Sequence, residues 1–283
     1  MFETVQERGR RLRDSPLWKL MAMGGLVVLL LIPLGMVSSL IAERQERRSA
    51  AVKEVASTWG GPQRLSGPVL SVPYLYKTKD AKGRVTGSVP IPWQFLPETL
   101  HVTGRVLPER RSRGIFEAVL YRTELAVTGT FRRPVFDASF VPQDIQWQDA
   151  HLSIGLPDLR GLRRAGDLVW QGQPEKLEPG GAEAGLWDSG LRAAVPGLAL
   201  GGESFSFAFT LEVDGSGTLE FLPMGKETTV TLSSPWPDPS FAGSFLPESR
   251  TVRPNGFTAT WSVPYFARSY PQEWRADETG KTP

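Results

Sequence analysis

The chain has 283 residues, with 32 lysines and arginines, 30 aspartates and glutamates, two histidines and no cysteine. The missing cysteines exclude disulfides, thiolate catalysis and cysteine-ligated zinc or iron–sulfur sites, and two histidines exclude a histidine-rich metal centre. Segment 1–42 carries five basic and three acidic residues, which leaves 27 of each sign in the remainder, so charge gives no reason to expect a nucleic acid partner.

A long uncharged segment near the N-terminus predicts a membrane anchor. Leu20–Ala42 holds 23 residues without a charge, and a helix of that length spans about 35 Å, enough to cross a hydrocarbon core of about 30 Å. Pro33 removes one backbone hydrogen bond, which membrane helices tolerate. A cleaved signal peptide is the alternative, with Val37-Ser38-Ser39 as its cleavage site. The length of the segment favours the uncleaved anchor.

The basic residues that flank this segment predict its orientation. Five lysines and arginines lie before it, and four lie between Ala42 and residue 55. Because the more basic flank tends to stay inside, residues 1–19 are expected in the cytoplasm. The chain is then a single-pass protein of a bacterial inner membrane, with the lipid bilayer as its first partner and its main domain in the periplasm.

A polar helical stalk is predicted to follow the anchor. Residues 43–58 contain good helix formers and neither glycine nor proline, and Trp59-Gly60-Gly61-Pro62 supplies a helix stop. Beyond this point apolar residues alternate with polar ones. The clearest case is 204–213, where three phenylalanines, a leucine and a valine share one face, as in a half-buried antiparallel strand.

The same alternation recurs through residues 59–275 and predicts a mainly β fold, a large antiparallel β-sandwich-like domain after one transmembrane helix. Turn sequences such as Asp214-Gly215 and Asn255-Gly256 separate the strands. Segment 172–202 has eight glycines and is interpreted as a long loop, and 276–283 as a polar tail. The predicted strands are 68–77, 84–91, 99–107, 114–122, 125–131, 145–155, 168–172, 204–213, 217–222, 226–233 and 257–263.

Motifs that carry catalytic chemistry are scarce. The chain has no GxSxG elbow, no P-loop and no HExxH zinc motif. His101 and His151 lack local carboxylate partners, so solvent-facing or structural roles are favoured for both. No catalytic residue, metal or cofactor is predicted. A glycosidase-like acid pair stays open as an alternative, with Glu98, Glu117, Glu124, Asp137 and Asp144 as the available acids.

Aromatic residues provide the other unusual feature. Eight of the nine tryptophans follow the anchor, and exposed tryptophans stack on sugar rings, although packing explains most buried ones. Segment 234–247 carries three prolines, so it cannot be a central strand. We expect its aromatic side chains to plug the edge of the core, with an exposed recognition loop as the alternative. The candidate recognition residues are Trp236, Phe241 and Phe245.

Several ordered blocks of sequence resemble the CreD family of cell envelope integrity proteins. They include GGPQRLSGPVLSVPY (60–74), RRSRGIFE (110–117) and SPWPDPSFAGSFLP (234–247), and the resemblance runs from about residue 15 to 275. It implies an inner-membrane protein with a large periplasmic domain, produced under an envelope-stress regulon, with no catalytic residues to carry over. Family members add C-terminal membrane helices, so this chain is expected to be incomplete for its cellular task.

The leading functional hypothesis is a non-enzymatic periplasmic domain that supports envelope integrity and the envelope stress response by contacting another envelope component. One alternative is a glycan-binding or glycan-active module that acts on peptidoglycan. The other is an accessory or sensor domain of a multi-helix membrane protein. An acid pair beneath exposed tryptophans in a groove favours the glycan hypothesis, whereas a large apolar patch favours a protein or lipid partner.

Overall fold

A computed structural model describes residues 16–136, 140–180, 183, 186–199 and 202–278. The chain divides into two compact units, Met1–Glu54 and Val55–Pro283. Residues 1–15 of the predicted cytoplasmic segment lie outside the described ranges. Asp137, the end of the polar tail and three glycines of segment 172–202 (181, 185 and 201) lie outside them as well.

One helix, α1 (Pro16–Trp59), contains both the predicted anchor and the predicted stalk. It is 44 residues long and includes Pro33. Its stretch Lys19–Ala56 is long and apolar enough to cross a membrane. The leucine, isoleucine and valine side chains of the predicted anchor are exposed over 20–42, as expected for a helix whose partner is lipid. The helix ends before Gly60, which has a φ of +155°.

Among the described residues sixteen strands follow, together with four short 3-10 turns. The strands are β1 (Gln63–Lys79), β2 (Val85–Phe95), β3 (Thr99–Arg113), β4 (Phe116–Arg132), β5 (His151–Gly155), β6 (Leu162–Ala165), β7 (Leu168–Trp170), β8 (Gln173–Glu175), β9 (Glu178–Gly180), β10 (Gly190–Ala194), β11 (Ser204–Ser216), β12 (Leu219–Phe221), β13 (Glu227–Ser234), β14 (Ser249–Arg253), β15 (Gly256–Pro264) and β16 (Glu273–Arg275). The turns are Pro142–Asp144, Trp147–Asp149, Leu159–Gly161 and Tyr265–Ala267.

These strands form two sheets, which confirms the mainly β fold class. The smaller sheet has seven strands in the order β16-β2-β1-β5-β10-β9, with β12 beside β1. The larger has nine in the order β14-β15-β13-β3-β4-β11-β7-β8, with β6 beside β11. Most pairs are antiparallel, as predicted, but β3–β13 and β1–β12 are parallel. The sheets are therefore mixed.

A single core lies between the two sheets. Phe207 and Val127 come from the larger sheet and Leu70 and Ile154 from the smaller one, and all four belong to one buried apolar cluster. The alternation predicted for 204–213 is observed, because the side chains of Phe205, Phe207, Phe209, Leu211 and Val213 are all buried. The arrangement is sandwich-like, with hydrophobic burial on the facing sides of both sheets.

Three local predictions need correction. Segment 172–202 is not one long loop, because it contains β8, β9 and β10; these strands are too short for alternation to be detected. Segment 145–155 is not strand throughout, because a 3-10 turn precedes β5. The alternation in 257–263 predicts that Trp261 is buried, but it is half-buried, with its ring 5.5 Å from that of Phe241 in the segment after β13. His101 is exposed, as predicted.

Candidate functional site

An open groove lies where β1 begins and β5 ends, beside the segment 186–189. It has a volume of about 440 Å³. Its polar and aromatic lining residues are Gln63, Arg64, Ser66, Trp187, Asp188, Ser189 and Glu220. The groove therefore combines an aromatic side chain with charged groups, as small-ligand sites do.

The Trp187 ring packs on bare backbone at one wall of the groove. A Cβ atom at Gly155 would lie 2.5 Å from the indole, and one at Gly67, which has a φ of +99°, would lie 3.4 Å from it. Any larger residue at Gly155 would therefore displace the ring. Trp187 is half-buried, so part of the indole remains accessible in the groove.

Arg64 and Glu220 form an ion pair on two adjacent strands at the groove. Parallel pairing of β1 with β12 places the two residues side by side. The Arg64 Nε and Nη2 atoms lie 2.8 and 2.7 Å from Glu220 Oε2. Both side chains are largely exposed, so the pair adds at most about 1 kcal/mol to stability. Its charges remain accessible to a ligand.

Hydrogen bonds fix the segment that carries Trp187 and Asp188. Ser189 Oγ donates to the carbonyl of Leu156 at 2.8 Å, and the Leu156 amide donates to the carbonyl of Ser189 at 3.1 Å. The Glu183 amide donates to the carbonyl of Trp187 at 2.9 Å. The groove wall is therefore held at both ends rather than being a free loop.

The Glu183 carboxylate anchors the same segment inside the protein. Glu183 is only 3% exposed. Ser71 Oγ donates to Oε1 at 2.8 Å and Gln94 Nε2 donates to the same oxygen at 3.3 Å. His151 Nε2 lies 3.4 Å from Oε2, and Arg192 Nη2 lies 3.6 Å from it. Four neighbours on four strands therefore hold one carboxylate.

The same contacts determine the charge state of Glu183. Burial alone would raise the pKa of this carboxyl group, but the hydrogen bond and charge of His151, together with the Ser71 hydroxyl, lower the pKa from 4.5 to about 2. The carboxylate is therefore ionised at neutral pH. Sequence reasoning missed this partner of His151, which lies 32 positions further along the chain.

The geometry around Glu183 differs from a catalytic triad. In a triad the histidine lies between the hydroxyl nucleophile and the acid, whereas here the carboxylate lies between Ser71 and His151. The Ser71 side chain is fully buried and out of reach of a substrate. A carboxyl group that stays ionised to about pH 2 is also unsuited to donate a proton at neutral pH. The cluster is an anchor for the groove wall.

The acids proposed for a glycosidase pair do not converge among the described residues. Lys226, Arg110 and Lys77 form ion pairs with Glu98, Glu117 and Asp144, at 3.1, 3.9 and 2.7 Å. Glu124 lies in a separate shallow pocket on the larger sheet. Within the described ranges, no group of three or more acids or histidines is arranged to hold a metal ion.

The tryptophans after the anchor do not form an exposed surface on which sugar rings could stack side by side. Trp170 and Trp274 are buried, and the other six after the anchor are half-buried. Only Trp187 lines the groove. Nothing in the sequence around Trp187 separates it from the other tryptophans, because its position depends on glycines that come from β5 and β1.

The candidate recognition residues lie away from the groove, on the segment between β13 and β14. Trp236 is half-buried, its Nε1 donates to the carbonyl of Asp238 at 2.8 Å, and the Arg110 guanidinium lies 5.3 Å from its ring centre. Phe241 makes edge-to-face contacts of 5.5 Å with Phe257 and Trp261. Phe241 has the position expected of a plug.

Phe245 is half-buried, while its neighbour Leu246 is 67% exposed. The segment thus combines the two roles considered for it, because Phe241 packs against β15 and Leu246 faces solvent. Trp236 lies next to Arg110 of β3. A recognition role for Trp236, Phe241 and Phe245 stays a prediction.

Comparison with known proteins gives one strong likeness and several weak ones. The chain is 30% identical over 271 residues to the inner membrane protein CreD of Escherichia coli (strain K12), which covers 94% of this chain and 60% of the relative. The chain thus spans about 60% of the length of that curated relative.

Among solved structures, a mutant form of an M1 zinc metallopeptidase from Deinococcus radiodurans matches 61% of this chain and 40% of its own, at 13% identity and a TM-score of 0.30. The unmutated enzyme matches 61% of this chain and 42% of its own, at 14% identity and a TM-score of 0.26. These scores are too low to carry an argument about the fold. The family model described as inner membrane protein CreD matches residues 15–282, and the chain belongs to that family.

Proposed function

We propose that this chain is a non-enzymatic, inner-membrane-anchored protein whose β-rich domain faces the periplasm and supports envelope integrity by contacting another envelope component through the groove. The observation that carries the proposal is the groove itself, with Trp187, the exposed Arg64–Glu220 pair and exposed Asp188. Charged and aromatic groups on a firmly held wall are suited to recognition.

The case against an enzymatic role rests on pKa values and access. The carboxyl group whose pKa is raised by burial, Glu273, lies on β16 and not in the groove. Glu183, whose pKa is lowered to about 2, is inaccessible. A binding role needs neither proton transfer nor an activated nucleophile, and it requires only a surface that is already formed before the partner arrives.

A periplasmic location is favoured by the basic flank before the apolar stretch of α1, with five lysines and arginines against four on the other side. A phosphatase fused after Thr58 tests this part of the proposal. We expect an active phosphatase. An inactive phosphatase together with an active cytoplasmic reporter at the same position would contradict it.

Glycan binding is a second candidate function, and Trp187 favours it. An indole that lines a groove can stack on a sugar ring, and planar carboxylate and guanidinium groups such as Asp188 and Arg64 match the hydroxyls at its edge. Peptidoglycan is the glycan within reach of a periplasmic domain. This candidate uses the same groove and differs from the first only in the partner.

Crosslinking in living cells tests the groove and separates the two partners. A photoreactive amino acid replaces Asp188 in the groove, and a matched control replaces His101, which is exposed on the outer face of the larger sheet. We expect adducts from position 188 that Arg64→Ala weakens, and none from position 101. Adducts that collapse on muramidase digestion identify a glycan, whereas adducts of fixed mass identify a protein. Equal adducts from both positions would contradict a role for the groove.

A further inference from the structure

The indole of Trp187 presents one face to the groove, because backbone covers the other face. A Cβ atom at Gly155 would lie 2.5, 2.7 and 2.8 Å from the Cδ2, Cε3 and Cγ atoms of the ring, which are similar distances. Gly155 therefore lies under a face of the indole and not at its edge. The accessible part of this half-buried residue is the opposite face, and the face of an indole attracts cations.

A carboxylate without a counter-charge lies beside this indole. Asp188 follows Trp187 directly, lines the groove and is exposed. Within the described ranges, no lysine, arginine or histidine forms an ion pair with Asp188. The other charged residues of the lining, Arg64 and Glu220, neutralise each other, so the described lining carries a net charge of −1. A negative charge next to an aromatic face favours a cationic group.

The hydrogen-bonding groups of the lining are mainly acceptors. The Ser189 hydroxyl already donates to the carbonyl of Leu156, so its oxygen can only accept from a ligand. Pro62 and Pro157 have no N–H group, and carboxylates accept without donating. An ammonium group has three N–H donors and no acceptor. It therefore matches this lining better than a carboxylate or a phosphate does.

The Arg64–Glu220 pair provides a second contact, suited to a peptide group. Both Arg64 donors that reach Glu220, Nε and Nη2, contact the same oxygen, Oε2. In the described part of the chain, Arg64 Nη1 and Glu220 Oε1 have no partner. One free donor and one free acceptor on paired strands match the C=O and N–H groups of a peptide.

The strand register sets the spacing between these two contacts. Ser66 pairs with Gly155, which lies under the Trp187 ring. Arg64 precedes Ser66 by two positions on β1, or about 7 Å. The flexible four-carbon stem of a lysine side chain is long enough to bridge such a spacing.

We propose that the groove binds a peptide with a primary ammonium side chain, such as lysine. The ammonium group lies over the free face of Trp187 beside Asp188, and the peptide backbone lies at the Arg64–Glu220 pair. This inference rests on the proposed function, because it names the chemistry of the component that the groove contacts.

Fluorine NMR of the full-length protein in detergent micelles tests the inference. 5-Fluorotryptophan replaces the nine tryptophans, and Trp187→Phe identifies the resonance of Trp187. The probes are a blocked alanine–lysine–alanine tripeptide, the same peptide with its lysine amine acetylated, and a peptide with glutamate in place of lysine. We expect a saturable shift of the Trp187 resonance with the lysine peptide and binding about tenfold weaker or less for the other two. Binding of the lysine peptide should weaken as salt is raised.

A pair of aspartate variants tests the role of the unpaired charge. Asp188→Asn keeps the size of the side chain and should weaken binding of the lysine peptide about tenfold. Asp167→Asn is the matched control, because Asp167 is exposed between β6 and β7 and does not line the groove. It should leave binding unchanged. Equal binding by both variants would overturn the assignment of the ammonium group to Asp188.

Two results on the unsubstituted protein, which do not depend on the folding of a variant, would overturn the inference. One is equal binding of the lysine peptide and its acetylated form. The other is a Trp187 resonance that no peptide shifts. Crosslinking in cells from a photoreactive group at Leu186, which lines the groove and leaves Asp188 in place, separates this failure from that of the proposed function. Adducts without a peptide response overturn only the ammonium ligand, whereas a lysine-specific response without adducts contradicts the proposed function.

Discussion

The Glu183 carboxylate accepts a hydrogen bond from the Ser71 hydroxyl at 2.8 Å in a position where both residues are buried. This contact joins the segment before the groove wall to the middle of β1. The neighbouring contacts from Gln94 and His151 make Glu183 the charged group on which the position of this segment depends most. A buried charge is costly unless it is paired and hydrogen-bonded, and Glu183 meets both conditions.

Removing this carboxylate should be strongly destabilising. Glu183→Ala leaves Ser71 and Gln94 without their partner and Arg192 without its counter-charge, so we expect a loss of about 3–5 kcal/mol in the free energy of unfolding. Chemical denaturation of the detergent-solubilised protein measures it. Glu178→Ala, on the exposed edge strand β9, is the matched control and should cost less than about 1 kcal/mol. Equal losses would show that the buried contacts contribute little.

The low pKa of Glu183 also predicts how stability depends on pH. Its pKa is about 2 in the folded protein against 4.5 for the free side chain. A group with a depressed folded pKa stabilises the fold above its unfolded pKa, and that contribution is lost as the pH falls towards the folded value. We therefore expect about 3 kcal/mol to disappear between roughly pH 4.5 and pH 2. Denaturation curves across this interval should show a smaller loss for Glu183→Gln than for the native chain.

Local sequence patterns predicted the parts of the fold that depend on near neighbours in the chain. The alternation in β11 identified its buried face, because period-two spacing alone decides which side chains share a side. The prolines of 234–247 excluded a strand there for the same local reason. Phe241 was correctly expected to pack against the edge of the core.

Local sequence patterns could not predict the contacts that depend on how the strands pair. Glu183 meets His151 only because the fold brings Glu183 against β1, β2 and β5. The parallel pairing of β3 with β13 joins residues more than a hundred positions apart. Trp261 occupies the apolar face of β15, but how deeply it is buried depends on Phe241, which no periodicity in β15 reveals.

The loss of stability caused by a core substitution should increase with the observed burial of the side chain. Phe207 is 2% exposed and packs 5.2 Å from the Phe131 ring, so Phe207→Ala should cost about 3–5 kcal/mol through lost transfer energy and a cavity. Trp261→Ala should cost less, because this side chain is only half-buried. His101→Ala, on the exposed face, should change stability by less than about 0.5 kcal/mol. If thermal melts rank the three losses in the reverse order, the register assigned to β11 is wrong by one residue.

The last prediction links Gly155 to the groove. A methyl group at this position would lie 2.5 Å from the Trp187 indole, closer than van der Waals contact allows, so Gly155→Ala must displace the ring. Since Trp187 lines the groove, we expect a shift in tryptophan emission and fewer adducts from the photoreactive group at position 188. Gly87→Ala is the control, because a methyl group there meets only the flexible Thr78 hydroxyl, at 3.2 Å, on an exposed hairpin. If Gly155→Ala keeps both the emission and the adducts of the native chain, the Trp187 ring does not form the wall on which recognition depends.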